Sequence, residues 1–503
     1  MDLLGLRTLS AAVDATAMIR ADTGNGLTLG TIPLDDEPTY RTIRAARTIG
    51  VFQLESPGER SLLLKLQPTC PTDLAITVSL FRPGPMKLHL DRLFLARRNG
   101  KEPVSYDDPR LEPVLRDTCG VIVWQEQVLQ VANAVADLSF AEADVLRRAM
   151  TEKTPKRELE NFERLFLERA GAKGTDPDVA KRIFEQLKGF AAYGFCRGHA
   201  ASFSLLGWRT AYLKTHWPAY YFAGLMNALP VGFYPAPVLL DEARRCGVEV
   251  EKPSIVRSAC RTLAHGRTLV LGLNTFTILP RKDAAAIVTA REECPFDSLQ
   301  DFKDRVRVNR RALQHLVLAG AFDDFGMPVA VAEDLGLDVQ VVARVTESAG
   351  DPDLATILGE TAGIGYPVSV SMARLLDICT VETLDPPTPS QIQAPLLHSS
   401  QLKMVPDGSL AWVRGIVIRL QTPPTHSGKR VFFVTLQDEQ GMIEAIMFQD
   451  AQRKYAAVLK QSHMLRAFGT IQNAEGSPTM VIARVERLYF DVSRDTTPIP
   501  AYA

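Results

Sequence analysis

The sequence lacks paired cysteines. Its seven cysteines are odd in number and never form a Cys-x-x-Cys motif, and they stand at positions 70, 119, 196, 246, 260, 294 and 379. The eight histidines show no metal-ligand spacing with them. These absences argue against a disulfide scaffold and against structural zinc. They predict a protein of the reducing cytoplasm.

The sequence also has almost no net charge. Its 57 Lys and Arg residues are balanced by 58 Asp and Glu residues, which gives a formal net charge of −1. No global field therefore attracts nucleic acid, and any basic surface must be local.

Long apolar runs are missing as well. The most apolar region, Trp217 to Leu240, is interrupted by four prolines and by Asn227, so it does not predict a transmembrane helix. The N-terminal residues MDLLGLRTLS contain no charged segment followed by a long apolar core, so no signal peptide is expected. A cytoplasmic location is predicted, and the anion-binding features described next would associate the protein with the nucleoid.

One segment has a strongly biased charge within a chain whose 503 residues predict several domains. The window from Gln186 to Leu240 contains no Asp or Glu. Its cations and histidines are Lys188, Arg197, His199, Arg209, Lys214 and His216. Such cations can neutralise phosphates without an opposing carboxylate. A buried helix pair whose cations extend to water fits the composition equally well.

Three further features point to anion or metal binding. Arg147 and Arg148 are adjacent on a predicted helix, about 100° apart, so both can contact one triphosphate, although such pairs more often lie on a solvated face. Arg82 stands on the rigid turn FRPGP and can contact either a phosphate or a carboxylate of the fold. Asp2 stands at a predicted strand-to-helix junction, where a carboxylate caps a helix or binds a metal.

A helix-hairpin-helix region and a linker are predicted after the biased window. Residues 302–325 place Arg310 and Arg311 on a basic turn that leads into an amphipathic helix. Backbone N–H groups at such helix starts bind phosphates without sequence preference. Residues 346–405 are richer in Pro, Thr and Ser and weakly patterned, which predicts a linker. Within it, 391–397 (QIQAPLL) is a candidate docking peptide.

The C-terminal region changes to an alternating pattern. The segments LAWVRGIVIRL, RVFFVTLQD, MIEAIMF, LRAFGTIQ and TMVIARVERL predict five strands, with a helix at Ala451–Leu459. Five strands with one helix predict an OB-fold, a frequent binder of single strands. The candidate stacking and charged face contains Phe432, Phe433, Arg414, Arg419, Lys429 and Arg430. Because neighbours on a strand face opposite sides, only one of the two phenylalanines can face outward, and Phe433 is selected here.

These segments together resemble the C-terminal half of bacterial C-family DNA polymerases, the replicative alpha subunits and their error-prone paralogues. The matching motifs, in family order, are MDLLGLRTL, IPLDDEPTY, VFQLESPGERSLL, LFRPGP, GVIVWQEQVLQVA, ADVLRRAM, YGFCRGHAASFSLL and the OB-like block. The block PVGFYPAPVLLDEARRCGVEV is more similar to the error-prone branch.

The resemblance implies a two-metal nucleotidyltransferase. In the family, three palm carboxylates hold two Mg²⁺ ions that activate the primer 3′-OH and stabilise the charge leaving on pyrophosphate. The third carboxylate, in an Asp-x-Leu-Gly-Leu motif, corresponds to Asp2. The first two belong to an Asp-x-Asp motif in an upstream region of the palm, and this sequence does not contain that region. The resemblance therefore implies one metal ligand here, and activity only with a separately encoded N-terminal half.

The resemblance also implies how the incoming nucleotide is held. Arg147 and Arg148 match the phosphate-gripping residues of the fingers, and Arg82, Arg197 and His199 lie in matching fingers motifs. Two places depart from the family. Cys-Arg-Gly-His at 196–199 replaces the Asn-Lys-Ser-His of the replicative type, and Thr-Ile-Leu-Pro at 277–280 replaces a turn with Gly. A loop without Gly brings its amides less easily against a phosphate.

The expected fold is mainly α and multidomain, with helical fingers, a helix-hairpin-helix region and a C-terminal all-β OB-fold. The expected boundaries are a palm remnant at 1–10, fingers at 11–255, tandem helix-hairpin-helix motifs at 256–345, the linker at 346–405, the OB-fold at 406–490 and a tail at 491–503.

The expected function is a part of a DNA-directed DNA polymerase in replication or error-prone repair synthesis. Two alternatives stay open: an inert DNA-binding module, and a scaffold that docks on a sliding clamp through 391–397. Expected partners are primer-template DNA, dNTPs, an N-terminal polymerase half, a sliding clamp and error-prone accessory proteins, with no membrane.

Overall fold

The computed structural model describes residues 5–80, 90–151, 156–191, 195–346, 352–422, 430–474 and 477–490. The chain divides into two compact units. One is Ile32–Thr215, called here the fingers unit, and the other combines Met1–Thr31 with His216–Ala503. None of the helices in these described ranges is long and apolar enough to cross a membrane.

The fingers unit is helical. Its α-helices are Glu37–Arg44, Pro57–Leu66, Pro71–Leu80, Leu90–Arg98, Glu112–Leu115, Gln125–Ala136, Phe140–Thr151, Lys156–Ala172, Pro177–Ala191 and Arg197–His216. Side-chain caps begin several of them: Asp36 accepts from the Thr39 N–H at 2.9 Å, and Ser56 accepts from the Glu59 N–H at 3.3 Å. Such caps satisfy N–H groups that have no partner within the helix.

Two apolar clusters hold the fingers unit together. In the first, Phe166 and Phe184 are fully buried and their ring centroids lie 5.4 Å apart. In the second, the buried Trp124 packs near Phe94 and Ala200, and its Nε1 donates to Ser79 Oγ at 3.0 Å. Each buried aromatic side chain contributes about 1.5–3 kcal/mol, so these clusters fix the helices that carry the candidate site.

The second unit begins with a close helix pair. Its α-helices are Arg7–Thr23, Pro218–Asn227, Ala236–Arg245, Arg281–Glu293, Leu299–Arg305, Arg310–Leu318, Pro328–Asp334, Val339–Thr346, Pro352–Ile364, Met372–Asp377, Pro389–Gln393 and Gln449–Gln461. Arg7–Thr23 packs on Pro218–Asn227 through small side chains, and a Cβ at Gly224 would collide with the Ala11 carbonyl. A small sheet of order β1-β3-β2 follows, with β1 at Glu249–Glu251, β2 at Leu263–His265 and β3 at Thr268–Val270.

Residues 352–405 of the predicted linker are more ordered than their composition predicts. Helix Pro352–Ile364 lies against helix Arg310–Leu318, and β4 (Thr380–Glu382) pairs antiparallel with the last strand of the barrel. A Cβ at Gly363 would lie 2.6 Å from the His315 carbonyl oxygen, so glycine permits this close helix contact. The two helices pack through small residues rather than through a wide apolar stripe. The helical pattern of this segment was therefore weak in the sequence.

The C-terminal barrel agrees with the predicted OB-fold. Its strands are β5 (Leu410–Gln421), β6 (Phe432–Gln437), β7 (Met442–Met447), β8 (Met464–Ala474) and β9 (Ser477–Tyr489), with helix Gln449–Gln461 between β7 and β8. The pairings run β5–β6, β6–β7, β7–β9, β9–β8 and β8–β5, so the barrel closes. The prediction of a mainly α chain with a C-terminal all-β OB-fold is confirmed.

Candidate nucleic-acid interface

Arg197 begins the long helix Arg197–His216 and is already held by acidic residues. Its backbone N–H lies 2.9 Å from Glu126 Oε2 and 3.1 Å from Oε1. Its guanidinium lies 3.3 Å from Asp117 Oδ2, and its Cζ lies 4.7 Å from the Trp124 ring centroid. A phosphate at this position would compete with the Asp117 carboxylate for the same side chain.

His199 lies two residues after Arg197 on the same helix, between two aromatic rings. Its ring centroid is 5.2 Å from that of Phe195 in an edge contact and 4.0 Å from that of Phe203. Phe195 is in turn tied to the start of helix Gln125–Ala136, because its carbonyl accepts from the Gln125 N–H at 2.9 Å. This packing fixes the imidazole on the same helix end as Arg197.

The acid-free window of the sequence is not free of acids in space. Lys188 Nζ lies 3.1 Å from Glu185 Oε1, just outside the window, and Arg197 is paired with Asp117. Lys214 is 2% exposed, and its Nζ donates to the carbonyls of Arg47 at 2.8 Å and Ile49 at 2.9 Å. For Lys214 the buried-helix alternative is therefore correct, although its charge stays inside instead of extending to water.

Arg147 and Arg148 lie on helix Phe140–Thr151, as predicted, but their side chains are outside the described part of the structure. The start of this helix is firmly anchored. Ser139 and Glu142 exchange hydrogen bonds, and Arg169 Nη2 donates to Glu142 Oε1 at 2.9 Å. These bonds lower the pKa of Glu142 to about 2, with the Arg169 contact the largest cause. Asp2, Arg82 and Lys429 also lie outside the described residues.

Arg310 and Arg311 are the first two residues of helix Arg310–Leu318, and both are exposed. Asn309 caps this helix by accepting from the Ala312 N–H at 2.8 Å, and the first turn carries no acid. Among the described residues, neither arginine has an ion-pair partner. The helix dipole and both cations therefore present positive charge at one helix end.

A second cationic helix start in this region was missed from the sequence. Arg281 and Lys282 are exposed and open helix Arg281–Glu293, which follows the Thr-Ile-Leu-Pro turn. Pro280 offers no side-chain cap, so the first N–H groups of this helix have no capping partner from that residue. Proline just before two adjacent cations is a signal that could have identified the site.

The barrel separates its two adjacent phenylalanines as the alternation predicts. Phe432 is 4% exposed and belongs to the barrel core, whereas Phe433 is 40% exposed. Arg430, just before β6, is exposed as well. Arg414 is used within the fold instead, because its Nη2 lies 2.6 Å from Asp377 Oδ1. The exposed ring and cation suit base stacking and phosphate contact.

One group of possible cation ligands lies on the barrel, away from Asp2 in sequence. Atoms of His398, Asp438 and Glu439 lie within 4.8 Å of one another. Ser399 N and Oγ each donate to Asp438 at 2.6 Å, and the Gln440 and Gly441 N–H groups also bond to it. These hydrogen bonds show that the Asp438 carboxylate stabilises the turn between β6 and β7.

Fold and exposed cations together define a modular nucleic-acid-binding protein. Three family models match the chain: the bacterial DNA polymerase III alpha subunit finger domain at residues 8–174, a helix-hairpin-helix motif at 247–330, and an OB-fold nucleic acid binding domain at 411–488.

Curated relatives match nearly the whole chain. The error-prone DNA polymerase of Symbiobacterium thermophilum is 33% identical over 97% of this chain and 49% of its own length. That of Pseudomonas syringae pv. syringae is 35% identical over 99% of this chain and 48% of its own. The DNA polymerase III subunit alpha of Thermus aquaticus is 33% identical over 94% and 40%.

The chain therefore belongs to the family of bacterial DNA polymerase III alpha subunits and error-prone DNA polymerases, and it matches a C-terminal half of these proteins. It spans about half the length of the curated relatives it matches.

Proposed function

We propose that this chain supplies the nucleotide-gripping fingers and the DNA-binding domains of a DNA polymerase that adds dNTPs to a primer. The observation that carries the proposal is the match over 97% of the chain, with finger, helix-hairpin-helix and OB-fold domains in that order. Two of the relatives described above are named error-prone DNA polymerases, and this supports the error-prone branch. Identity alone does not separate the branches, since the alpha subunit is also 33% identical.

The fingers would hold the triphosphate of the incoming nucleotide. Arg147 and Arg148 would act from one helix, Phe140–Thr151, whose start is fixed by the Glu142–Arg169 pair. Arg197 and His199 share another helix end, and Arg82 completes the proposed set. Arg197 would exchange Asp117 for a phosphate oxygen, which adds a charge-assisted bond only when the nucleotide is present.

Catalysis would require carboxylates beyond those of this chain. Asp2 is the proposed ligand in this sequence, and the other two ligands belong to the N-terminal half that the relatives possess. When bound, two Mg²⁺ ions would activate the primer 3′-OH and stabilise charge on the leaving pyrophosphate. The 503 residues alone are therefore proposed to bind DNA without extending a primer.

The DNA would be held through phosphates and through stacking. Arg310 and Arg311 offer charge at one helix start, and Arg281 and Lys282 offer it at another. Phe433, Arg430 and Lys429 form the proposed single-strand contact of the barrel. Binding of this kind is strongly salt-dependent, because each neutralised phosphate releases counterions. A location at the nucleoid follows from the proposal.

A clamp-docking role is the second candidate, and one observation favours it. Ile392 is 69% exposed and Leu396 is 44% exposed, so two apolar side chains of 391–397 face solvent, whereas Leu397 packs against the barrel core. The backbone of this segment is held in place, however: the Trp412 N–H donates to the Pro395 carbonyl, and the Leu397 N–H donates to that of Trp412, both at 2.8 Å. Such a peptide would dock with its backbone still bound to the barrel. Accessory proteins of error-prone synthesis are further proposed partners.

Primer extension with a supplied N-terminal half tests the main proposal. The chain is mixed with the N-terminal half of the Symbiobacterium relative, a primer-template, dNTPs and Mg²⁺. We expect extension by the mixture and none by either part. Asp2→Ala and Arg147→Ala/Arg148→Ala should abolish it, whereas Lys181→Ala, on another helix of the fingers unit, should not.

The outcomes separate the alternatives. Salt-dependent DNA binding without extension under any pairing would favour the inert DNA-binding module. Loss of clamp capture on deletion of 391–397, with extension and DNA binding absent throughout, would favour the scaffold.

A further inference from the structure

A half-open cavity of about 420 Å³ lies in the second unit, on the outside of the barrel. Its walls come from residues 229–235, 237 and 238, from 416–418 of β5, and from Gln437 and His463. Leu436 packs in the barrel core, so its neighbour Gln437 faces outward. The volume is within the range of sites that hold small organic ligands, about 300–1,000 Å³.

The lining of the cavity selects a neutral ligand. No Asp, Glu, Lys or Arg is among the described residues that line it. Val231, Ile416 and Ile418 give it apolar walls, and Phe233 contributes an aromatic ring. A charged group would lose its hydration here without a counter-charge, whereas a flat neutral heterocycle would not.

Gln437 provides an unsatisfied polar atom in this wall. Its residue is fully buried, and its Nε2 donates to Asp241 Oδ2 at 2.6 Å. That bond fixes which end of the amide is nitrogen, because a carboxylate accepts and does not donate. The opposite atom, Oε1, is buried and has no hydrogen-bond partner. Buried acceptors in folded proteins ordinarily bond to a donor, and an N–H group of a ligand in the cavity would supply one.

Phe233 and Arg419 form the stacking edge of the cavity. The Phe233 ring is half-buried, and the Arg419 Cζ lies 3.8 Å from its centroid. The guanidinium covers one face of the ring, so a base would stack on the opposite face with the cation available to its phosphate.

We propose that this cavity binds a nucleobase. The base would enter between the apolar walls, stack on Phe233 and donate an N–H to Gln437 Oε1, while its 5′-phosphate stays outside beside Arg419. An unpaired base of a single strand and a free nucleotide share this chemistry. The site involves neither the fingers nor Asp2, and so it does not rest on polymerase activity.

Fluorescence titration of the full chain tests the site with two probes. One is 2-aminopurine deoxyribonucleoside 5′-monophosphate, and the other is a single-stranded oligonucleotide with one 2-aminopurine. We expect a saturable change in 2-aminopurine fluorescence, and the probe that saturates at lower concentration identifies the source of the base. Phe233→Ala should weaken binding about tenfold to a hundredfold, in line with measured stacking losses of about 1–3 kcal/mol per base. Arg419→Gln should weaken it by about threefold to tenfold.

Matched controls exclude a general effect on the barrel. Phe448 is 50% exposed outside the cavity, so Phe448→Ala should leave both titrations unchanged, as should Arg453→Gln. Ile418→Trp fills the cavity and gives a second variant should Phe233→Ala fail to fold. The proposal is overturned if neither probe shows a saturable change in fluorescence. It is equally overturned if the folded cavity variants bind like the unchanged chain.

Discussion

The fingers unit and the helix-hairpin-helix region use charged side chains in opposite ways. In the fingers unit, Lys214 is buried against two carbonyls and Arg197 lies between Asp117 and Trp124. In the helix-hairpin-helix region, Arg310 and Arg311 are exposed at a helix start whose first turn has no acid. The same residue types therefore have partners within the protein in one region and, among the described residues, no ion-pair partner in the other.

The comparison teaches that the acids near a cation along the sequence are not the acids that lie near it in the folded structure. The window 186–240 holds no acid, yet three of its four Lys and Arg residues, Lys188, Arg197 and Lys214, contact Glu185, Asp117 and main-chain carbonyls respectively. Helix Arg310–Leu318 is instead followed by two aspartates, Asp323 and Asp324, and these pair with Lys252 and Arg257. Counting charges along the chain consequently overestimates the positive charge available to a ligand in the window 186–240 and underestimates it at helix Arg310–Leu318.

The largest expected effect concerns a buried acid of the fingers unit. Glu59 is 5% exposed, and burial raises its pKa to about 9 from an ordinary value of 4.5. Because the pKa of Glu59 is higher in the folded state than in the unfolded state, the folded state favours the protonated carboxyl. Its contribution to stability is fully present below the unfolded pKa and is lost as the pH rises toward about 9. At about 1.4 kcal/mol per pH unit, the loss between pH 4.5 and 7.5 would reach about 4 kcal/mol.

The measurement is urea unfolding at several pH values, followed by hydrogen exchange in peptides that cover helix Pro57–Leu66. Glu59→Gln should flatten the fall in stability over this pH window, since the amide does not ionise. Glu160→Gln, at an exposed position of the same unit, should keep the original slope. Equal slopes for the chain and for Glu59→Gln would show that the buried acid is not the cause.

The second effect tests whether Lys214 serves only the fold. Lys214→Met removes both donors and leaves the Arg47 and Ile49 carbonyls without them, which should cost about 2–4 kcal/mol of unfolding free energy. Urea unfolding measures this loss, and Lys188→Met, at an exposed position, should change stability by less than about 0.5 kcal/mol. DNA affinity should be unchanged below the unfolding transition. A fall in affinity with stability intact would instead place Lys214 on the DNA surface and break the contrast.

Much of the fold could be predicted from the sequence, because its signals were local. The strands of the barrel alternate in period two, and the expectation that only one of Phe432 and Phe433 faces outward followed from that alternation. The helix that carries Arg147 and Arg148 was also visible in its apolar pattern. The order in 352–382 was not visible, because Gly359 and Gly363 allow close packing without a large apolar stripe.

The candidate site was less predictable, because its contacts join distant segments. Arg197 is 80 residues from Asp117 and 71 from Glu126, so no local pattern shows that both acids meet it. Lys214 finds its carbonyl partners more than 160 residues earlier. Arg281 and Lys282 are the opposite case, since their position at a helix start was present in the sequence and was overlooked.

The smallest expected effect is at the exposed start of helix Arg310–Leu318. It tests the comparison in the helix-hairpin-helix region rather than in the fingers unit. Arg310→Ala/Arg311→Ala removes two exposed cations, so the slope of log affinity against log salt should fall by about 2 on duplex DNA. Affinity at low salt should fall by about tenfold, and unfolding free energy should change by less than about 0.5 kcal/mol. Fluorescence anisotropy of a labelled primer-template measures the slope, with Lys101→Ala in the fingers unit as the exposed control. An unchanged slope would mean that these arginines are solvated rather than bound to phosphate. If Lys101→Ala lowered the slope equally, any exposed cation would contribute to DNA binding. The two regions would then differ only in how far their cations are buried.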